Sequence, residues 1–296
     1  NRGSSPDSFS WIVDTVSPST TIDSVKDGNN DSVNTGGNSS SNSVIVSFSG
    51  IDTGGDQDKG VGINHFECSV DGVAFTNCSA PMKLDKLADG SHTIEIRSSD
   101  NVGNDDASPA SFIWTIDTVP PNTSFSSVID GNRNAVAADG NTTSTSMTFA
   151  FSGTDTGSGL SLFECSLDGA PFATCESPIN INNLEDGSHT FSVRSKDNVA
   201  NLDQSPASFN WIIDTSPPTT SIDSVVDSNK NNLSNSSSTR SNSITFTFSG
   251  NDTGKVEVKR FECSTDNSDF VACTSPFGLP NLLSDGSHTF KVRAED

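Results

Sequence analysis

The sequence predicts an all-β chain: three tandem seven-stranded antiparallel sandwiches in a linear array, with the chain ends out of register with the repeat. Three observations carry this. Phe66-Glu67-Cys68-Ser69 recurs as Phe163-Glu164-Cys165-Ser166 and Phe261-Glu262-Cys263-Ser264, at spacings of 97 and 98 residues, a period of domain length. Within each period, short apolar segments alternate residue by residue with polar ones, which is the pattern of strands with one buried face. Gly, Asp, Asn and Pro separate these segments, and no stretch carries helical periodicity.

The second repeat shows the elements in order. After Pro120-Pro121, residues 122 to 128 read as a first strand, and Met147, Phe149 and Phe151 alternate with Thr148 and Ala150 as a second. Phe163, Cys165 and Leu167 share one face of a third, and a fourth runs through Phe172 to Cys175. Ile179 to Leu184 form a short fifth, His189, Phe191 and Val193 line the sixth, and Phe209, Trp211 and Ile213 the seventh. The domain limits that follow are 18–117, 120–214 and 217–296, the last lacking its final strand, with residues 1–15 as the last strand of a preceding or neighbouring-subunit repeat.

Leu, Ile, Val and Phe supply 66 of 296 residues and the net charge is −22, a balance close to that of disordered chains. Concentrating the apolar residues in alternating segments is what allows a thin core nonetheless. The acidic balance and the lack of any Lys/Arg cluster exclude a phosphate-backbone partner, so no nucleic acid is expected, and they favour cations. No apolar run reaches membrane-spanning length, and Asn1-Arg2-Gly3-Ser4-Ser5 is not a signal peptide.

The six cysteines fall two per repeat, ten residues apart: Cys68 and Cys78, Cys165 and Cys175, Cys263 and Cys273. A turn signal lies inside each pair (Asp71-Gly72, Asp168-Gly169, Asp266-Asn267), so a hairpin sets the sulfurs opposite each other and three local disulfides are expected. Disulfides imply an oxidising, extracellular or cell-surface setting.

Phe163-Glu164-Cys165-Ser166, Asp186-Gly187-Ser188-His189-Thr190, Ser205-Pro206-Ala207-Ser208-Phe209 and Asp214-Thr215-Ser216-Pro217-Pro218 together resemble Ig-like and fibronectin-III-like tandem modules of bacterial and archaeal cell-surface proteins. The resemblance covers nearly the whole chain and implies Ig-like sandwiches. In it, Leu184 to His189 corresponds to the corner before the sixth strand, with His where such folds usually place Tyr. Such modules occur in adhesins, surface layers and as spacers in secreted enzymes, so the resemblance leaves the biological role open.

Three of the four histidines, His92, His189 and His288, occupy this corner, beside Ser and Asp. A residue repeated at a strand entry is expected to hold the corner by a hydrogen bond. No nucleophile-elbow sequence or zinc-protease helix accompanies these histidines, so no enzyme is expected. Phe9, Trp11 and Val13, with Phe112, Trp114 and Ile116 and with Phe209, Trp211 and Ile213, share strand faces at a spacing of two and are expected in the core, not as a sugar-stacking stripe. Eight Asn-x-Ser/Thr sequons are present. Seven are glycosylation candidates (Asn30, Asn38, Asn122, Asn141, Asn232, Asn235 and Asn251), whereas Asn77 abuts a disulfide.

The acidic residues suggest a metal. Asp27, Asn29 and Asp31, Asp130, Asn132 and Asn134, and Asp227, Asn229 and Asn231 place oxygens at i, i+2 and i+4, like the first half of a calcium loop. Ig-like topology is expected to gather Asp27, Asn29, Asp31 and Asp89 with Asp117, Asp155 and Asp197 at the first junction. The second would gather Asp130, Asn132, Asn134 and Asp186 with Asp214, Asp252 and Asp296. So many carboxylates repel without a cation, and calcium is the candidate; the alternative is that Asp, Asn and Gly are simply turn formers.

Ser5 to Trp11 aligns with Ser108-Pro109-Ala110-Ser111-Phe112-Ile113-Trp114, so the text opens on a seventh strand, and it closes on Arg293 to Asp296, before the seventh strand of the third repeat. Two arrangements fit: an excerpt of a longer array with flanking repeats, or a subunit whose residues 8–14 fill the open sandwich of another copy. The expected function is a structural repeat module of an extracellular filament or cell-surface fibre, polymerising by covalent continuation or donor-strand addition. The alternatives are an adhesin stalk binding glycan or protein through loops, with residues 52–64, including Asp56 and Asp58, as candidate receptor loop, and an accessory module of a secreted hydrolase.

Overall fold

The computed structural model describes residues 7–53, 60–253, 256–279 and 283–296, and these hold strands and no helix. In the first repeat the strands are β1 Ser19–Asp27, β2 Gly37–Ser39, β3 Val44–Ile51, β4 Ile63–Val70, β5 Thr76–Cys78, β6 Met82–Leu84, β7 Gly90–Asp100 and β8 Ala110–Ile116. In the second they are β9 Asn122–Asp130, β10 Gly140–Thr142, β11 Met147–Thr154, β12 Leu160–Leu167, β13 Ala173–Cys175, β14 Ile179–Ile181, β15 Gly187–Asp197 and β16 Ala207–Ile213. The third has β17 Thr219–Asp227, β18 Ile244–Asn251, β19 Arg260–Thr265, β20 Val271–Cys273, β21 Phe277–Leu279 and β22 Phe290–Glu295.

Each repeat owns two sheets. Orders β1-β3-β6 and β2-β8-β7-β4-β5 recur as β9-β11-β14 and β10-β16-β15-β12-β13, and the third repeat has β17-β18-β21 and β20-β19-β22. Alternation produces the sandwich because it gives each sheet one apolar face. Val25, Val44, Val46 and Phe48 from the first sheet meet Cys68, Ile94, Ile96, Trp114 and Ile116 from the second in one core. In the second repeat Phe149 stacks on Phe191 at 4.3 Å between ring centroids and lies 5.3 Å from Trp211. Each such side chain, fully buried, contributes about 1.5–3 kcal/mol.

The chain divides into two compact units, Asn1–Thr123 with Gly153–Phe163 and Arg194–Pro206, and Ser124–Ser152 with Glu164–Val193 and Ala207–Asp296. This division crosses the strands of the second repeat and does not follow the period of the text.

Two expectations are corrected. The first two repeats have eight strands each, not seven, and one pair in each is parallel: β2 runs beside β8 with Gly37 opposite Trp114, and β10 beside β16 with Gly140 opposite Trp211. β2 and β10 consist of Gly, Asn and Ser or Thr, with no apolar residue to show alternation, so only the tertiary pairing reveals them. The second concerns Phe9, Trp11 and Val13, which are 84%, 72% and 74% exposed, whereas Trp114 and Trp211 are buried. Among the described residues no strand forms before Ser19, so these side chains have no sheet to pack against.

The hairpins follow their turn chemistry. Asp71 and Gly72 adopt φ of 52° and 74°, and Asp168-Gly169 and Asp266-Asn267 repeat this left-handed pair, the geometry of the tight turns that suit the strand twist. Each hairpin is closed by its disulfide, Cys68–Cys78, Cys165–Cys175 and Cys263–Cys273, with Cα atoms 5.8 Å apart.

Candidate metal centres

The turn aspartates also build the corners. His92 places Nδ1 2.8 Å from Asp71 Oδ2 and Nε2 2.8 Å from the Ala88 carbonyl, while Thr93 N donates to Asp71 Oδ1 at 2.9 Å. His189 repeats this with Asp168 and the Glu185 carbonyl, and His288 with Asp266 and the Ser284 carbonyl. Both partners of each ring are acceptors, so both nitrogens must donate and the favoured form is the imidazolium. At His92 and His189 burial works against that charge, but the carbonyl and carboxylate bonds overcome it and the pKa stands above 6.5. At His288 the Ser284 carbonyl and Asp266 raise it against a smaller burial effect. The corner geometry occupies both ring nitrogens of all three histidines, so none is free to act as a general base.

Three acidic triads recur at one place in the fold. Asp14, Asp52 and Asp100, then Asp117, Asp155 and Asp197, then Asp214, Asp252 and Asp296 each bring one carboxylate oxygen per residue within 4.8 Å of the others. The first residue precedes a Pro-containing stretch, the second follows the strand β3, β11 or β18, and the third ends β7 or β15 or follows β22. In the middle triad burial pushes the Asp117 carboxyl up, but the hydrogen bonds it accepts from Ser158 N and Val119 N outweigh this and lower its pKa. Asp197 accepts from Val199 N and Asn201 N, and Asp155 Oδ2 from Gly159 N at 2.6 Å. A Cβ at Gly157 would collide with the Asp117 carboxyl, so the loop approaches this closely only with glycine there.

One oxygen is left over at corresponding positions. Asp155 Oδ1 is buried without a hydrogen-bond partner, and so is Asp52 Oδ1 in the first triad. Three carboxylates at this spacing repel by roughly 3–4 kcal/mol per pair at an effective dielectric of about 20. The donor set is all hard oxygen, which suits Ca²⁺ or Mg²⁺ and not zinc, whose structural sites use sulfur and nitrogen.

The structure brings together Asp117, Asp155 and Asp197, and Asp214, Asp252 and Asp296, from the residues expected at the two junctions. The remaining ones belong to no triad, although Asp130 and Asn134 line one cavity with Asp214 and Asp296. Asp27 is 5% exposed, its Oδ1 accepting from Asn29 N and Asp31 N and its Oδ2 from Ser39 Oγ at 2.7 Å. Asp130 does the same with Asn132 N, Asn134 N and Thr142, and Asp227 with Asn229 N, Asn231 N and Thr239. These i, i+2, i+4 segments are self-capped turns: the first carboxylate is consumed by its own backbone, and Asn29, Asp31, Asn132 and Asn134 are exposed, with Asn134 Nδ2 donating back to Asp130 Oδ2 at 3.4 Å. Asp89 and Asp186 accept from the Thr118 and Thr215 hydroxyls.

The Asp14 triad escaped the sequence reading, which treated Asp14 only as part of a terminal strand. Its signal was present: Asp14-Thr15 aligns with Asp117-Thr118 and Asp214-Thr215. The seven sequon candidates, Asn30, Asn38, Asn122, Asn141, Asn232, Asn235 and Asn251, are all exposed. Asp56 and Asp58 lie outside the described residues. Among the described residues no helix is long and apolar enough to cross a membrane.

No family model matches the chain, and no curated protein matches it either. Solved structures similar to it include the fibronectin(III)-like modules of Clostridium thermocellum CbhA, at 15% identity and TM-score 0.33, covering 66% of this chain and 94% of that one. A structure described as explaining host cell surface retention of a 1.5-MDa bacterial ice-binding adhesin matches at 12% identity and TM-score 0.34, over 88% and 84% of the two chains. The three N-terminal domains of the bacteriophage RB49 outer capsid protein Hoc match at 13% and 0.34, over 96% and 88%. The assignment of the chain as antiparallel sandwich-like units stands on its own sheets.

Proposed function

We propose that this chain is a structural repeat module of an extracellular filament or cell-surface fibre, stiffened by divalent cations, calcium foremost, held in the acidic triads. The observation that supports this most is the triad's recurrence: in each copy a carboxylate next to a Pro-containing stretch meets carboxylates from two loops. A cation there ties the stretch to both loops and relieves their repulsion, so the connection stiffens when the ion binds. Three disulfides suit an oxidising exterior, and the exposed sequons are open to glycans. In the fibre the array continues either through the covalent chain or through a strand contributed by a neighbour.

Thermal unfolding of the 296-residue chain in calcium and in chelator tests the cation. The midpoint is expected to rise with calcium and fall with chelator, and Asp155→Asn is expected to reduce the difference. Identical midpoints and no heat of binding in a calcium titration would remove calcium from the reading.

A further inference from the structure

The connection between the first two sandwiches is held from both sides at one peptide group. The carbonyl of Asp117 accepts from Asn201 Nδ2 of the β15–β16 loop at 3.0 Å, and the N–H of Thr118, in the same peptide unit, donates to Asp89 Oδ1 of the β6–β7 loop at 3.2 Å. A peptide group is planar and stiff, so its oxygen and its N–H turn together. Rotating it breaks the bond to the second repeat and the bond to the first in one motion.

The neighbouring groups repeat this division. On the side of the first repeat, Asp117 N donates to the Ser39 carbonyl of β2 at 2.9 Å, Thr118 Oγ1 donates to Asp89 Oδ1 at 2.9 Å, and Ser39 is itself anchored through its hydroxyl by Asp27. On the side of the second, Ser158 N donates to Asp117 Oδ2 at 2.6 Å, and Asp117 is buried. All of these groups lie within one compact unit. Downstream, Pro120 and Pro121 have a fixed φ, and Val119 before Pro120 is confined to extended backbone. The rotations that would make this stretch a hinge therefore fall on Asp117 and Thr118, the two residues that are held. Much of the arrangement recurs in the next connection, where Asp214 N donates to the Thr142 carbonyl of β10, Val256 N to Asp214 Oδ2, and the Thr215 hydroxyl to Asp186.

We propose that the Asp117–Thr118 peptide is a two-sided clasp, so that the connection opens only when its bonds to both repeats open together. The clasp goes beyond the cation reading, because every bond in it joins two protein groups and none requires an ion. A cation bound by Asp117 adds to the clasp and does not create it. Disturbing a residue of one repeat therefore loosens a bond made to the other, which a free hinge would not allow.

Amide hydrogen exchange of the 296-residue chain in chelator, followed residue by residue by NMR, tests this. The Thr118 amide is expected to be protected. Asn201→Ala, a change in the second repeat, is expected to speed its exchange about fivefold or more, although the acceptor Asp89 belongs to the first. Asp89→Ala, at an exposed position, is expected to speed the exchange of Ser158 in the second repeat to a similar extent. Unchanged exchange of the Ile94 and Phe191 amides, one in each core, shows that both variants are folded. A wild-type Thr118 amide that exchanges as in an unfolded chain, or variants that each alter only their own side, overturn the proposal. Crossed effects without a calcium-dependent midpoint would sink the cation reading alone, and a calcium-dependent midpoint without crossed effects would sink the clasp alone.

Discussion

A single aspartate does two jobs in each hairpin. Asp71, Asp168 and Asp266 adopt the left-handed backbone that closes the turn, and their carboxylates then hold the histidine of the next hairpin. The histidine pKa is raised in the folded protein, so its contribution to stability is full below 6.5 and is lost as pH rises through the folded value. At Asp71 burial opposes ionisation, but the bonds from Thr93 and His92 prevail and the pKa is lowered, so that contribution holds above 3.8 and is lost as pH falls through the folded value. The corners are therefore strongest between these limits. Denaturant midpoints are expected to fall from pH 6 to pH 8, and a His92→Gln, His189→Gln, His288→Gln variant is expected to flatten that slope. His92→Gln alone is expected to cost about 1 kcal/mol at pH 6, since its partners are partly solvated.

At the scale of elements, stability divides between cores and staples. Trp211→Ala removes the largest buried side chain of β16 and is expected to cost about 3–5 kcal/mol in denaturant titrations. By contrast Trp11→Ala, at an exposed position, leaves the unfolding of the isolated chain unchanged. Replacing Cys165 and Cys175 together by Ala opens a short loop and is expected to cost about 3 kcal/mol or less. The elements that carry these effects were readable from alternation and turn residues. β2 and β10 were not, because they hold no apolar residue to show alternation and their pairing partner is distant in sequence.

At the scale of the molecule, the charge of −22 and three carboxylate triads set the balance between repulsion and cation binding. If cations tie the Pro-containing stretches Asp117–Pro121 and Asp214–Pro218 to their loops, limited proteolysis in chelator is expected to cut there and release fragments near one period in length. In calcium the same stretches are expected to resist. Equal cleavage in both conditions would count against cation stiffening. In the proposed fibre, the acidic surface would keep neighbouring fibres from adhering side by side.

The sequence by itself determined the period, the strands of each repeat other than β2 and β10, the hairpin turns and the disulfide pairs, because all are local: alternation, an Asp-Gly or Asp-Asn step, and cysteines ten residues apart across it. Only the tertiary structure decided which acidic residues share a site. Asp27 and Asp117 look alike as text, but Asp27 is satisfied by the backbone of its own turn, while Asp117 meets loops 38 and 80 residues away at Asp155 and Asp197. It likewise decided that Trp11, the twin of Trp114 and Trp211 in sequence, is exposed: burial is a property of the sheet a strand joins, and among the described residues Trp11 joins none.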